Sequence, residues 1–285
     1  MANVSNQGAC IPSPVLPFME TSSRRLPITA LVVVLDAEGW LPACLPSIRF
    51  CDEILVVDIG STDRSVEIAL AYGAKVITHS RVPFAEVLWP DVVPQAKHDW
   101  IMRFDPDEVF DERILPELEP ALAVQRTGII RVPYQYYFRR RVLRTTVWGG
   151  VRHMNVFFHR SRVDVRPYVH EGLKLGPGRV FASIDQAKRY PIKHYWINDW
   201  VQMREKHARY LLSEGPDRLL RGEHFGWFKA MVLTARALGT SLLWRSGWRG
   251  GADGWALSFF YAGYVWRSQW SLRGAERAAR CCQRL

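Results

Sequence analysis

The chain has 285 residues, 48% of them hydrophobic and 23% charged, with 38 Lys and Arg against 28 Asp and Glu for a formal net charge of +10. That length holds one large domain or two small ones and buries a core without disulfide or metal staples, and the composition excludes a disordered or fibrous chain. Five cysteines form no CxxC pair, which argues for a reducing compartment and against a zinc site.

Residues 1–25 read as a disordered lead with no secretory signal, because Pro12 and Pro14 interrupt the place of an apolar run. Residues 28–35 are almost continuously apolar and β-branched, the pattern of a strand buried on both faces. A helix is expected over 40–50, a strand over 53–58, a helix over 65–72 stopped by Gly73, and strands over 74–77 and 100–104. Repeated βα units with short connections predict a mostly parallel, Rossmann-like central sheet in an α/β protein.

Beyond residue 122 the pattern changes. Residues 128–138 and 151–158 read as longer, aromatic-rich strands with mixed or antiparallel pairing, a mixed-sheet extension of the first. Helices are expected over 198–213, 225–244 and 255–270, the last two broken by the glycines of 247–251. This divides the chain into 1–25, a domain over 26–195, and a helical region over 196–285.

The charge concentrates at the end. From Phe225 onward there are nine basic residues against two acidic, so this stretch carries +7, and it holds six of the 12 tryptophans. Such a tail fits an anionic membrane surface, and charge alone also allows nucleic acid, although no basic-and-aromatic β platform accompanies it. Spanning a bilayer over 225–244 would bury Arg236 at about 2.5–3.5 kcal/mol, so an interfacial position is expected.

Ligands of an open parallel sheet bind outside the carboxyl ends of its strands. Asp36 and Glu38 follow the first strand, Asp58 ends the second, and Asp105, Asp107 and Glu108 end the fourth. Carboxylates converging on one edge need a cation, and hard oxygen donors suit Mg²⁺ or Mn²⁺ with nucleotide phosphates. Neither GxGxxG nor GxxxxGK[ST] occurs. Read singly, Asp58 is a turn former, the 105–108 stretch an acidic turn, and Arg139-Arg140-Arg141 a solvated face.

Three ordered blocks carry a family resemblance. Residues 55–69, LVVDIGSTDRSVEIA, look like the VVDSGSTDRTVEIA block of family-2 glycosyltransferases, and 99–108, DWIMRFDPDE, resemble their DWVLxLDADE block. Val169-His170-Glu171 matches the VHE element of the branch resembling lipopolysaccharide-core β-1,4-glucosyltransferases, and His194 and the Lys206…Tyr210 spacing agree with it. The resemblance implies a GT-A fold and transfer from a nucleotide-diphosphate sugar, UDP-sugar favoured, to a glycan or lipid-linked acceptor. It implies that Asp58 accepts from the base, that Asp36, Glu38 and Asp105 attend the nucleotide sugar, and that Asp107, with Asp105, ligates Mg²⁺ or Mn²⁺.

Inverting transfer needs a carboxylate to deprotonate the acceptor hydroxyl; Glu171 is the first candidate and Glu108 the second. His194 is read as structural. The sequence departs from the family pattern at Pro106 between the two aspartates, at residues 87–90 (VLWP in place of QRN after FAE), and at Asn155, where an arginine is usual. These departures keep a nucleotide-sugar-binding protein of impaired activity as the alternative, ahead of a nucleic-acid-binding one. The expected location is cytoplasmic, peripheral on the inner face of the cell membrane.

Overall fold

The computed structural model describes residues 25–82, 85–166, 173–184 and 186–282. In chain order these form β1 (Leu26–Val34), α1 (Leu41–Ser47), β2 (Cys51–Asp58), α2 (Ser65–Ala71), β3 (Lys75–Thr78), α3 (Trp89–Val92) and β4 (Trp100–Phe104). Then come β5 (Glu108–Val109), α4 (Leu115–Ala123), β6 (Thr127–Phe138), β7 (Arg141–Val142), β8 (Val151–His159), β9 (Val163–Val165) and β10 (Leu173–Leu175). β11 (Val180–Ser183), β12 (Ile192–Ile197), α5 (Trp200–Leu220), α6 (Trp227–Gly239) and α7 (Gly251–Cys282) follow.

The chain divides into two compact units, the first made of Met1–Pro106 with Phe157–Pro177 and the second of Asp107–Val156 with Gly178–Leu285. In the first unit the strands run β3-β2-β1-β4, all parallel, and residues 157–159 lie antiparallel on β4. This is the expected α/β sheet. β1 sits between two neighbours, and Ile28, Ala30 and Val32 are fully buried, which is why its sequence is apolar throughout. Its one buried polar side chain, Thr29, donates to Glu53 at 2.6 Å and accepts from the His98 N–H at 3.1 Å. The segment that departs from the family after residue 86 packs inward here: Leu88, Trp89 and Val92 are buried, with Trp89 against Phe158.

The second unit is built on β6, which pairs in parallel with β11 and β12 and antiparallel with β7, the mixed pairing its aromatic pattern predicted. β12 carries β5 antiparallel on its other side, with His194 opposite Glu108. Arg139 and Arg140 form the two-residue tip between β6 and β7, both at positive φ (50° and 61°), a conformation usually left to Asn and Gly. Phe138, Leu143, Trp196, Ile197, Met203 and Leu257 make one buried cluster here, flanked by Tyr136, Trp148, Trp200 and Phe260.

Two helices outrun their sequence patterns. α5 continues through Pro216 to Leu220, seven residues past the expected end, because Gly215 lets it approach α7: a Cβ there would lie 2.3 Å from Ser271 Oγ. Its start is fixed by Asp199, whose carboxylate accepts from the Gln202 N–H at 2.8 Å. α7 begins at Gly251 and runs to Cys282, and the stretch expected as one helix over 225–244 is α6 followed by a π-helical turn, Thr240–Trp244.

Candidate functional site

In the first unit the loops after β1 and β2 are fastened to each other. Asp36, at φ 49°, accepts from the Thr62 N–H at 2.7 Å and hydroxyl at 3.1 Å, while its own N–H donates to Ser61 Oγ. Glu38 repeats the exchange, accepting from the Arg64 N–H at 3.1 Å and donating from its N–H to Asp63 at 2.9 Å. Burial pushes the Asp63 carboxyl up, but the Ser65 hydroxyl and the N–H groups of Glu38 and Ser65 outweigh it and hold the carboxyl below its usual range. The Asp36 and Glu38 carboxylates therefore lie at the expected strand ends and bond to backbone N–H groups of the neighbouring loop.

Asp58 ends β2 and is buried. Its carboxylate accepts from the Ser61 N–H at 3.0 Å and the Gly60 N–H at 3.4 Å, a turn that requires positive φ at Gly60 (101°). The turn-forming role read from the isolated residue is thus realised. Asp105, just after β4, is exposed.

Asp107 opens the second unit, one-fifth exposed, and its Oδ1 lies 3.4 Å from Nε2 of His194 on β12. Burial raises the Asp107 carboxyl, but the charge and hydrogen bond of His194 and the ammonium of Lys206 overcome it, so the carboxyl is held below its ordinary range. Nδ1 of the same imidazole stands 3.2 Å from Oε1 of Glu108, and Oε2 of Glu108 accepts from the Tyr134 hydroxyl at 2.8 Å. Glu108 is only 3% exposed. The Tyr136 ring packs on His194 at 5.0 Å between centroids.

His194 is the residue that sequence reasoning set aside and the structure brings to the site. Its signal was present in the agreement with the branch pattern, but only the β5–β12 register puts it between two carboxylates 86 and 87 residues earlier. Asp107 and His194 together offer a carboxylate oxygen and an imidazole nitrogen that could hold a metal ion. That mixed donor pair fits Mn²⁺ better than Mg²⁺, which takes oxygen ligands and water.

Other predicted residues are placed less centrally. Glu171, with Tyr168, Val169 and His170, lies outside the described residues. Asn155 accepts from Arg131 Nε at 3.1 Å, so a guanidinium from β6 reaches the position where the family pattern has an arginine. Arg141 is exposed at the β6–β7 hairpin beside Arg139 and Arg140.

A family model described as Glycosyl transferase family 2 matches residues 29–172, just over half of the chain. Among curated proteins, the lipopolysaccharide core biosynthesis glycosyltransferase LpsC of Rhizobium meliloti (strain 1021) is 24% identical over 251 residues, covering 81% of this chain and 86% of that protein. An uncharacterized glycosyltransferase of Rickettsia bellii is 30% identical over 105 residues, 34% of this chain and 33% of the other. Among solved structures, S. aureus TarS 1-349 in complex with UDP-GlcNAc is 17% identical with a TM-score of 0.36, covering 39% of this chain and 35% of the other.

Proposed function

The chain belongs to glycosyl transferase family 2, and we propose that it is a metal-dependent, inverting enzyme moving a sugar from a nucleotide-diphosphate sugar, a UDP-sugar first, to a glycan or lipid-linked acceptor. Similarity to LpsC along most of both chains supports a place in lipopolysaccharide-type surface glycan synthesis. The observation that carries the reading is the Asp107–His194 pair: a carboxylate kept ionised, next to an imidazole, in the acidic motif that follows β4.

On this reading Asp58 accepts from the base, and the fastened loops bearing Asp36 and Glu38 border the donor. A divalent ion held by Asp107 and His194, with Asp105 two residues earlier in the chain, would act as Lewis acid on the diphosphate. The acceptor oxygen attacks the anomeric carbon from the face opposite the diphosphate, a carbon–oxygen bond forms, and the bond to the phosphate oxygen breaks with its electrons. The acceptor's proton passes to a carboxylate, for which Glu171 is proposed. Glu108 is better suited to orienting His194, because it is buried in a bond from Tyr134 and opposite His194 in the strand register.

The peripheral membrane location expected from composition gains support from α6, which carries its amphipathicity the wrong way round for a core helix. Its buried positions are the small Ala230 and Ala237, while Trp227, Phe228, Met231 and Val232 face out, followed by Leu243 and Trp244. Phe228 is 77% exposed and Trp244 84%. Lys229, Arg236 and Arg249 are exposed along the same stretch, as an interfacial element on an anionic leaflet requires. No helix among the described residues is long and apolar enough to cross a membrane. We place the chain on the inner face of the cell membrane.

The test is turnover. Purified protein with Mn²⁺ is expected to release nucleotide diphosphate from at least one of a UDP-, GDP- or dTDP-sugar, and Asp107→Asn to abolish it. Turnover unchanged in that variant, or in excess chelator, would overturn the metal assignment. Thermal stabilisation by donors with no turnover would favour the binding protein over the enzyme.

A further inference from the structure

Arg152 on β8 is out of place by ordinary rules. Its Nε is buried without a hydrogen-bond partner, although a guanidinium is rarely buried unless paired. Burial and the repulsion of neighbouring Arg245 hold its pKa below the usual guanidinium range, with the rings of Tyr136 and Tyr261 beside it. Two cations set near each other in a half-buried aromatic setting cost stability unless an anion lies between them.

The backbone around Arg245 is also constrained. The Arg245 carbonyl accepts from the N–H of Thr146 at 3.1 Å, and Thr146 and Ser246 are both left-handed (φ 72° and 53°). Glycines admit the close packing of this corner: a Cβ on Gly250 would lie 2.4 Å from Thr145 Oγ1, and one on Gly254 2.1 Å from the Gly247 carbonyl. Non-glycine residues held in that region store about 1–3 kcal/mol each and gather at ligand clamps. Trp148 stacks at 5.3 Å from Tyr261 and 5.1 Å from Trp196, and Tyr136 touches both Trp196 and His194. Within the second unit, therefore, Arg152 is one aromatic ring away from the imidazole that attends Asp107.

The geometry points to a phosphate subsite in which Arg152 and Arg245 clamp a phosphate group of a substrate beside His194. Guanidinium groups from two different elements can engage separate faces of a tetrahedral oxyanion, each by paired N–H donors. The phosphate belongs either to the donor's diphosphate or to a phosphorylated acceptor glycan. This inference rests on the glycosyl-transfer reading for what the substrates are, and on the arginine pair alone for the binding itself.

The test uses the full chain in phosphate-free buffer without divalent metal, with inorganic pyrophosphate as probe and tryptophan emission and melting temperature as readouts. Saturable binding is expected, weakened at least tenfold by Arg152→Gln and by Arg245→Gln. Arg152→Met is expected to melt above the parent chain without the probe, since it removes an unpaired buried cation, and to lose the probe's stabilisation. A structural arginine would give the opposite sign. UDP measured on the same variants names the source: affinity that falls with that for pyrophosphate assigns the donor diphosphate, and unchanged UDP affinity assigns the acceptor. Pyrophosphate binding unchanged in both Gln variants, or a lower melting temperature for Arg152→Met, overturns the subsite. A chain that binds pyrophosphate through these arginines but transfers no sugar keeps the subsite and loses the functional reading.

Discussion

Asp107 and His194 face each other at 3.4 Å from the start of one two-residue strand and the middle of its antiparallel neighbour, and that pairing orders the acidic motif of the second unit. His194→Ala is expected to weaken Mn²⁺ binding by about 10–100-fold, the range seen when a ligand or its orienting partner is lost. Titration of the metal against the variant, read by the paramagnetic signal of free Mn²⁺, checks it. Equal affinity in variant and parent would remove His194 from the metal site.

Glu108 and Asp107 are adjacent but should respond differently. Glu108→Gln keeps an acceptor for the Tyr134 hydroxyl and the bulk of the side chain, so turnover should stay within about tenfold of the parent, the loss expected of a positioning group rather than of a general base at 10²–10⁴. Asp107→Asn should lose turnover altogether. A larger loss in Glu108→Gln than in Asp107→Asn, measured as kcat, would make Glu108 the base.

His207 sits in a box of rings, with centroids of Phe260 and Tyr264 at 5.0 Å and of Trp148 and Trp196 at 5.9 Å, while its Nδ1–H donates to the Met203 carbonyl at 2.8 Å. Burial, with Lys206 and Arg267 nearby, holds its pKa below the ordinary 6.5. The unfolded chain then takes up this proton first, so the neutral imidazole's contribution is complete above pH 6.5 and is lost as pH falls toward the folded-state value. Melting temperature should drop on acidification across that window, and His207→Phe should flatten the slope. An unchanged slope would mean that the acid sensitivity lies elsewhere.

Close approach of α5 and α7 depends on Gly215. A methyl group there meets Ser271 Oγ at 2.3 Å and the Ser271 backbone carbon and oxygen at 2.5 Å, and the backbone cannot step aside. Gly215→Ala should destabilise by about 1–3 kcal/mol in urea unfolding. Gly263→Ala, within α7 with nothing near its added carbon, should be neutral or stabilising by up to about 1 kcal/mol.

Replacing Phe228 and Trp244 together by Ser removes the two most exposed large apolar side chains of the α6 face. Co-flotation with vesicles containing anionic lipid should fall by at least about tenfold, with melting temperature unchanged because neither side chain is buried. Binding to random duplex DNA without vesicle binding would assign the basic charge to another partner.

The parallel strands were legible because a strand buried on both faces must be apolar along its whole length, and 100–104 reads as a strand with the same bounds as β4. β5 was not: two residues carry no periodicity, and Glu108 and Val109 become a strand only by pairing with β12. Likewise α5 runs past Ser213 through a proline because Gly215 meets Ser271 on α7, a contact with no local trace in the sequence.

The order of the motifs, the identity of the acidic residues at the strand ends and the concentration of charge and tryptophan after residue 225 are properties of the chain itself, and the sequence determined them. Which of these groups meet was decided by tertiary structure. Asp36 and Glu38 became loop fasteners, Glu108 was buried under Tyr134, and His194 moved from bystander to partner of Asp107. Hydrogen bonds and ion pairs act over 3–4 Å, so they follow strand register and loop placement, which residue spacing along the chain does not specify.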